Sequence, residues 1–322
     1  MKALIVPEVG RIKVDDIPRP QIGPYEALVR NTCCGICNST DWKVIHGQMA
    51  WAGDMPLVLG HESVGIVEQV GDKVRKFHIG DQVTRPVYPR SENMGSAWGG
   101  FAEYGIVTDA LAMADDGDTS MLNDYNAQRQ NVVPSGIDPA IAALAISLAE
   151  TASVLDGAPS LAGKRVLVAG TGIAGLALTL WSKLAGASCL VTLGRRDKRL
   201  DHACRVGADA AVNTRNAQWK SHAIDALGGE PDIIFEAIGD VDFAYELEGL
   251  LAEDGSAIAY GAPPEGDAFG DRWQIADVRE QDRYPWVIDL MQRGWIKADW
   301  FIDHHWSFDQ IEQAFEKVRH GE

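Results

Sequence analysis

Residues 165–175 read Arg-Val-Leu-Val-Ala-Gly-Thr-Gly-Ile-Ala-Gly, and this stretch decides the fold of the second half of the chain. Residues 165–169 form a short β-branched apolar run, the composition of a strand buried on both faces. Gly170, Thr171, Gly172, Ile173, Ala174 and Gly175 follow as a Gly-x-Gly-x-x-Gly turn, and residues 176–185 continue as a helix. In such a unit the first glycine permits a tight turn, and the second lets backbone approach a pyrophosphate. The third lets helix and strand pack closely. The helix N-terminus adds unpaired N–H groups and the positive end of a dipole. Glycine turns are common, so the pattern alone is weak. A strand before it, a helix after it and a second strand at 188–193 make it a dinucleotide site.

Outward from this turn, strand and helix alternate. A helix is expected over 198–206, with strands at 210–212, 232–235 and 256–260, which together describe an α/β, doubly wound parallel sheet. Upstream, residues 139–155 are helix formers with an apolar bias; Asp138 is the expected N-cap, with Pro139 in the first turn. The first third of the chain differs. Strand-like runs at 3–6, 27–30, 63–67, 80–84 and 101–107 are separated by Gly, Pro and Asp. Segment 109–131, rich in Asp, Asn and Gln, reads as a loop excursion, and 308–320 as an amphipathic helix.

The end of the second strand bears on the cofactor. A site for NAD places a carboxylate there to accept from the ribose 2′-hydroxyl. This chain has Gly194 at that position, followed by Arg195 and Arg196. A guanidinium fork suits a 2′-phosphate, and no carboxylate repels it, so NADP(H) is expected over NAD. The competing reading makes both arginines a solvated loop cap and gives the ribose to Asp197.

Composition bounds the rest. A chain of 322 residues with 46% hydrophobic content has material for two domains. A net charge of −17 excludes nucleic acid as a partner and fits ordinary solubility. No apolar run of the roughly 18 residues needed to span a bilayer is expected, so cytoplasmic residence without a membrane is the reading. Five unevenly spread cysteines argue against a disulfide framework.

A second constellation lies near the N-terminus. Cys37 sits in Cys33-Cys34-Gly35-Ile36-Cys37-Asn38-Ser39-Thr40-Asp41, and His61-Glu62 sits in Leu59-Gly60-His61-Glu62-Ser63. Thiolate, imidazole and carboxylate form the usual ligand set of a catalytic zinc, with one position left for water or a substrate oxygen. Taken singly, each would read as an ordinary buried or hydrogen-bonded side chain.

Together these segments resemble the medium-chain dehydrogenase/reductase family, in its zinc-dependent alcohol and polyol dehydrogenase branch. Gly35-Ile36-Cys37 is similar to the family's Gly-Ile-Cys turn, and Gly60-His61-Glu62 to its Gly-His-Glu motif. Gly71…Val74…Gly80-Asp81 with Val83, then Gly99-Gly100-Phe101-Ala102-Glu103-Tyr104, and the tail Phe308–Phe315 follow in family order. The resemblance implies a GroES-like β-rich catalytic domain, residues 1–137 and 284–322, around a Rossmann domain, residues 138–283. It implies homodimers or homotetramers, and an alcohol or carbonyl substrate.

Three departures accompany the resemblance. The four-cysteine lobe of a structural zinc would lie near 86–100, where there is no cysteine, so one catalytic zinc and no structural zinc are expected. The third protein ligand aligns with Ile146, which cannot bind metal. Glu150, one helical turn later, is the nearest candidate, and its alternative is a carboxylate facing solvent or a basic residue. Finally, the spacing from Cys37 to Asp41 is one residue longer than usual. That leaves Ser39 or Thr40 as the relay hydroxyl, with Asp41 as the partner orienting His61. The family's relay histidine aligns with Lys43, which reads as plain surface charge; relay through Lys43 or His46 is the alternative.

The implied reaction is hydride transfer between NADP(H) and an alcohol/carbonyl pair, with Cys37, Ser39 or Thr40, His61 and Glu62 as the catalytic set. Trp42, Trp51 and Trp98 are expected to line the substrate site, which points to a polyol, sugar or cyclitol. Two other readings stand beside it: a zinc-free NADPH-dependent quinone or enone reductase of the same superfamily, and a non-catalytic NADPH-binding protein.

Overall fold

The computed structural model describes residues 1–320. The chain forms two compact units, one of residues 1–146 with the tail from His304, the other of residues 147–303. The division falls inside the helix Pro139–Gly157. Residues 284–303 stay with the second unit, because the helix Glu280–Gln292 buries Tyr284, Val287 and Ile288. That helix is also tied to residues 147–157: Arg283 pairs with Asp156, and the Arg279 amide donates to Ser153 Oγ at 2.9 Å.

In the second unit six parallel strands run in the order Ala210–Asn213, Cys189–Gly194, Arg165–Ala169, Ile233–Glu236, Ser256–Ala259, Trp273–Ile275. Alternation of side chains along each strand sorts the apolar residues onto two faces. Leu167, Ala169, Val191, Leu193 and Ile234 pack into one core with Trp219 and Leu227. Val166, Val168, Leu190, Ile233 and Phe235 pack into another with Val154 and Leu178. Both faces are therefore covered, as the near-continuous apolar strands require. The α/β, doubly wound class read from the sequence holds here. This unit also holds two helices that the sequence reading leaves out, Trp219–Leu227 and Val241–Glu248.

The first unit carries two four-stranded sheets. One runs Arg11–Asp16, Lys2–Glu8, Leu57–Val58, Gly95–Ser96; the other runs Gln82–Thr84, Glu62–Val70, Glu26–Gly35, Tyr104–Thr108. In the second sheet the antiparallel register sets Gly35 opposite Glu62 and Cys34 opposite Ser63. That register brings the turn after Gly35 next to His61.

Segment 109–131 is more ordered than its composition suggests. Asp109, 1% exposed, caps the helix Ala110–Asp115 and also accepts from the amides of Arg75 and Lys76. Helix Pro139–Gly157 corrects another expectation. It has 19 residues and is long and apolar enough to cross a membrane by length and composition, but 67% of its apolar window is buried inside the protein. Its apolar residues serve a core.

Candidate active site

In the first unit Cys37, His61 and Glu62 converge, their ligand atoms all within 4.8 Å of one another. Among the described residues this is the group of three or more side chains fit to hold a metal ion. Gly60 makes the approach possible: at φ +106 it turns the chain into the strand, and a β-carbon there would lie 2.6 Å from the Phe101 amide nitrogen.

Asp41 organises the group. It is 1% exposed; one carboxylate oxygen faces His61 Nδ1 at 3.2 Å and the other accepts from the Cys37 amide at 3.0 Å. Binding through Nδ1 leaves Nε2 for a metal, and that nitrogen lies 3.8 Å from Glu62 Oε1. The Thr40 amide points at Cys37 Sγ, 3.4 Å away. Burial alone would lower the His61 pKa, but hydrogen bonds and charge from Asp41 and Cys37 outweigh it and hold the imidazole well above its ordinary value. Such a site favours a cation, whether proton or metal.

Beneath the group lies Arg85, 1% exposed, with φ +50 and Nη1 donating to the His61 carbonyl at 2.7 Å. A guanidinium cannot lose its charge, so it is a fixed buried cation that anchors the peptide joining His61 to Glu62. Trp98 stacks on His61 with ring centroids 4.9 Å apart, and Trp51 meets Trp98 edge-on at 4.7 Å. Trp98 holds φ +70, a strained conformation for a bulky residue at a functional site. Trp42 does not join this wall; its ring packs on His46 at 4.1 Å and lies under the Arg319 guanidinium at 5.0 Å.

In the second unit the glycine turn fits a dinucleotide. A β-carbon on Gly172 would meet nothing within 4 Å, leaving the mouth of the turn open, whereas one on Gly175 would collide with the Gly170 carbonyl. Gly175→Ala should therefore push helix Ile173–Leu184 off the sheet. We expect dinucleotide affinity to fall at least tenfold and stability to drop by about 1–3 kcal/mol, measured by titration calorimetry and denaturant melts.

The ribose end is basic. Arg195 is exposed, 3.9 Å from Asp240, and Arg196 stands at the N-cap of helix Asp197–Val206. Asp197 accepts from Asn213 Nδ2 at 2.7 Å through one of its carboxylate oxygens. A β-carbon on Gly194 would come within 2.7 Å of Thr171 Cγ2 in the glycine turn, so a side chain at 194 requires the threonine to shift.

Comparison with known proteins agrees with this geometry. Residues 23–115 match the model of the alcohol dehydrogenase GroES-like domain, and residues 174–279 match that of the zinc-binding dehydrogenases. Sorbitol dehydrogenase of Gallus gallus is 27% identical, the match covering 99% of this chain and 94% of that protein. An alcohol dehydrogenase of Cupriavidus necator is 29% identical over 98% of this chain and 94% of its own. Alcohol dehydrogenase TADH from Thermus sp. ATN1 superposes with TM-score 0.81 at 21% identity, over 100% of this chain and 97% of its own. The chain belongs to the medium-chain dehydrogenase/reductase family. Its place is in the zinc-dependent alcohol and polyol dehydrogenase branch.

Several residues of this dehydrogenase escape sequence reasoning. Lys43 was expected as surface charge; instead it is 9% exposed and Nζ donates to Ser39 Oγ at 3.2 Å. Arg199 supports the glycine turn, with Nε donating to the Thr171 carbonyl and Nη1 to Asp303, both at 2.8 Å. Glu236, fully buried, accepts from the amides of Ile238 and Gly239 at 2.7 and 2.9 Å and so fixes the loop against Gly170. Ile146, at the position of the family's third ligand, is fully buried. Glu150 belongs to the second unit, where its carboxylate accepts from the Tyr260 hydroxyl at 3.0 Å.

Proposed function

We propose that this dehydrogenase transfers hydride between NADP(H) and an alcohol/carbonyl substrate, with one zinc held by Cys37, His61 and Glu62. The convergence of a half-buried thiol, Cys37, with a buried imidazole and a buried carboxylate carries the reading. In the oxidative direction a secondary or primary alcohol loses one proton and one hydride, giving the carbonyl compound, NADPH and a proton. When bound, the zinc supplies Lewis-acid polarisation of the substrate oxygen and the dinucleotide supplies the hydride acceptor.

The protein's own part is positional. Asp41 holds His61 with Nε2 towards the ligand group and steadies the Cys37 amide. Ser39 or Thr40 offers the hydroxyl that takes the alcohol proton. Arg195 and Arg196 offer guanidinium forks to a 2′-phosphate, and the glycine at 194 leaves room for it. Three protein ligands with Glu62 as the third complete a catalytic zinc site and keep a position open, so Glu150 is not required.

The aromatic wall of Trp98 and Trp51 supports a substrate presenting C–H faces, a polyol, sugar or cyclitol. All five cysteines are free, which suits the cytoplasm. Strand Trp273–Ile275 is paired on one side, with Ile275 exposed, and supports assembly into a homodimer or homotetramer.

The test is a panel of polyols, sugars and simple alcohols run with NADP+ and NAD+ in parallel. Turnover of polyols or sugars with NADP+ is the expected result. Turnover confined to quinones or enones with NADPH would replace this reading.

A further inference from the structure

Gly194 closes the strand Cys189–Gly194 and pairs there with Asn213, and its carbonyl accepts from the Thr214 amide at 2.8 Å. It holds no left-handed φ, so the backbone does not require glycine at this place. The requirement is one of space. A β-carbon would lie 2.7 Å from Thr171 Cγ2, 2.9 Å from Thr171 Oγ1 and 3.1 Å from Leu200 Cδ2. Carbon atoms in good contact stay about 3.5–4.0 Å apart, so both branches of the threonine intrude.

Rotating the threonine does not help. Its χ1 has three staggered wells, and the two γ atoms fill two of the three positions around its β-carbon. Both filled positions collide with a β-carbon at 194. Any other well refills at least one of them, because two atoms cannot share the single remaining position. Relief would have to come from the backbone, which is tied on both sides. The Gly170 amide donates to the Leu193 carbonyl at 2.9 Å, and the Thr171 carbonyl accepts from Arg199 Nε at 2.8 Å. Arg199 is held in turn: its side chain is 12% exposed, and Nη1 donates to Asp303 at 2.8 Å. Lys198 and His202 also face that carboxylate, at 3.6 and 3.8 Å.

We propose that Thr171 is a specificity-determining residue: its two γ branches hold the end of the strand to glycine and so exclude the carboxylate that an NAD site uses; this rests on the NADP(H) reading above. Shape does the excluding and the hydroxyl does not, so Thr171→Val keeps the exclusion. Thr171→Ala removes it, since alanine has no γ atom. An acidic residue at 194 is accommodated only once position 171 is reduced. Its carboxylate then meets the ribose 2′-hydroxyl and repels a 2′-phosphate.

The experiment places Gly194→Ala and Gly194→Asp, each in turn, in the wild-type, Thr171→Val and Thr171→Ala backgrounds of the full chain. Thermal unfolding without dinucleotide reads the packing alone. Gly194→Ala should lower the midpoint by about 3–10 °C in the wild-type and Thr171→Val backgrounds, the usual size of an overpacked site, and by less than about 1 °C in Thr171→Ala. Fluorescence titration with NADPH and NADH reads the specificity. Gly194→Asp should shift the ratio of the two Kd values towards NADH at least tenfold in Thr171→Ala, and less than about threefold in the other two backgrounds. Equal midpoint losses in the Thr171→Val and Thr171→Ala backgrounds, or the same ratio shift in all three, would overturn the inference. A wild-type chain that binds NADH more tightly than NADPH refutes the NADP(H) reading instead; the unfolding series then still decides whether Thr171 excludes a side chain at 194.

Discussion

Cys37→Ala should empty the metal site and lower kcat/KM for the alcohol about 10³-fold or more, the several kcal/mol of charge stabilisation that a catalytic zinc supplies. The reason is local. Among the described residues three ligand side chains converge, Cys37, His61 and Glu62, and Ile146, aligned with the family's third ligand, is buried and cannot bind metal. Removing the thiolate also leaves the Thr40 amide without its acceptor and loosens the turn that holds Ser39. Zinc content measured by mass spectrometry alongside steady-state rates checks it. Glu150→Gln is the companion variant: its carboxylate is engaged by Tyr260, and zinc content should stay at the wild-type level. If Cys37→Ala kept a tenth of the activity, or Glu150→Gln lost its zinc, the assignment of ligands would be wrong.

The second large effect concerns the cofactor. Arg195→Ala with Arg196→Ala should raise the KM for NADP+ about 100-fold and leave that for NAD+ within about threefold. A charge-assisted hydrogen bond contributes about 1.5–3 kcal/mol, and the two forks are assigned to one phosphate. Arg199 should be insensitive to this change, because its guanidinium is committed to Thr171 and Asp303. Gly194→Asp alone should not create an NAD enzyme, since its β-carbon would press on Thr171. Initial rates with both dinucleotides at fixed alcohol test the pair. Equal loss with NAD+ and NADP+ would show that the arginines support the turn and not the phosphate.

Much of this was legible in the sequence where one residue type answers one steric or chemical demand. Gly175 cannot carry a β-carbon against Gly170, and such a position shows as glycine whatever surrounds it. Cys37, His61-Glu62 and Asp41 stand out in the sequence because thiolate, imidazole and orienting carboxylate have few other uses together, and the structure brings these side chains together. Lys43 was not legible. A lysine in a polar turn reads as solvated, yet this one is buried and donates to Ser39 Oγ, a contact that depends on the folded turn. Trp42 and Trp98 look alike in sequence, but a left-handed backbone turns Trp98 onto His61 while the helix Thr40–Ile45 sends Trp42 to His46. Helix Pro139–Gly157 shows the opposite difficulty: an all-round apolar helix satisfies the length and composition of a membrane span and of a protein core alike.

The central claim is that zinc at Cys37, His61 and Glu62 is required for NADP-linked hydride transfer. Its most direct test is the rate of NADPH formation from the best alcohol of the panel before chelation, after chelation, and after zinc is returned. The account predicts that turnover disappears with the metal and comes back with zinc. Turnover that persists in the stripped protein would contradict it and favour the zinc-free reductase chemistry.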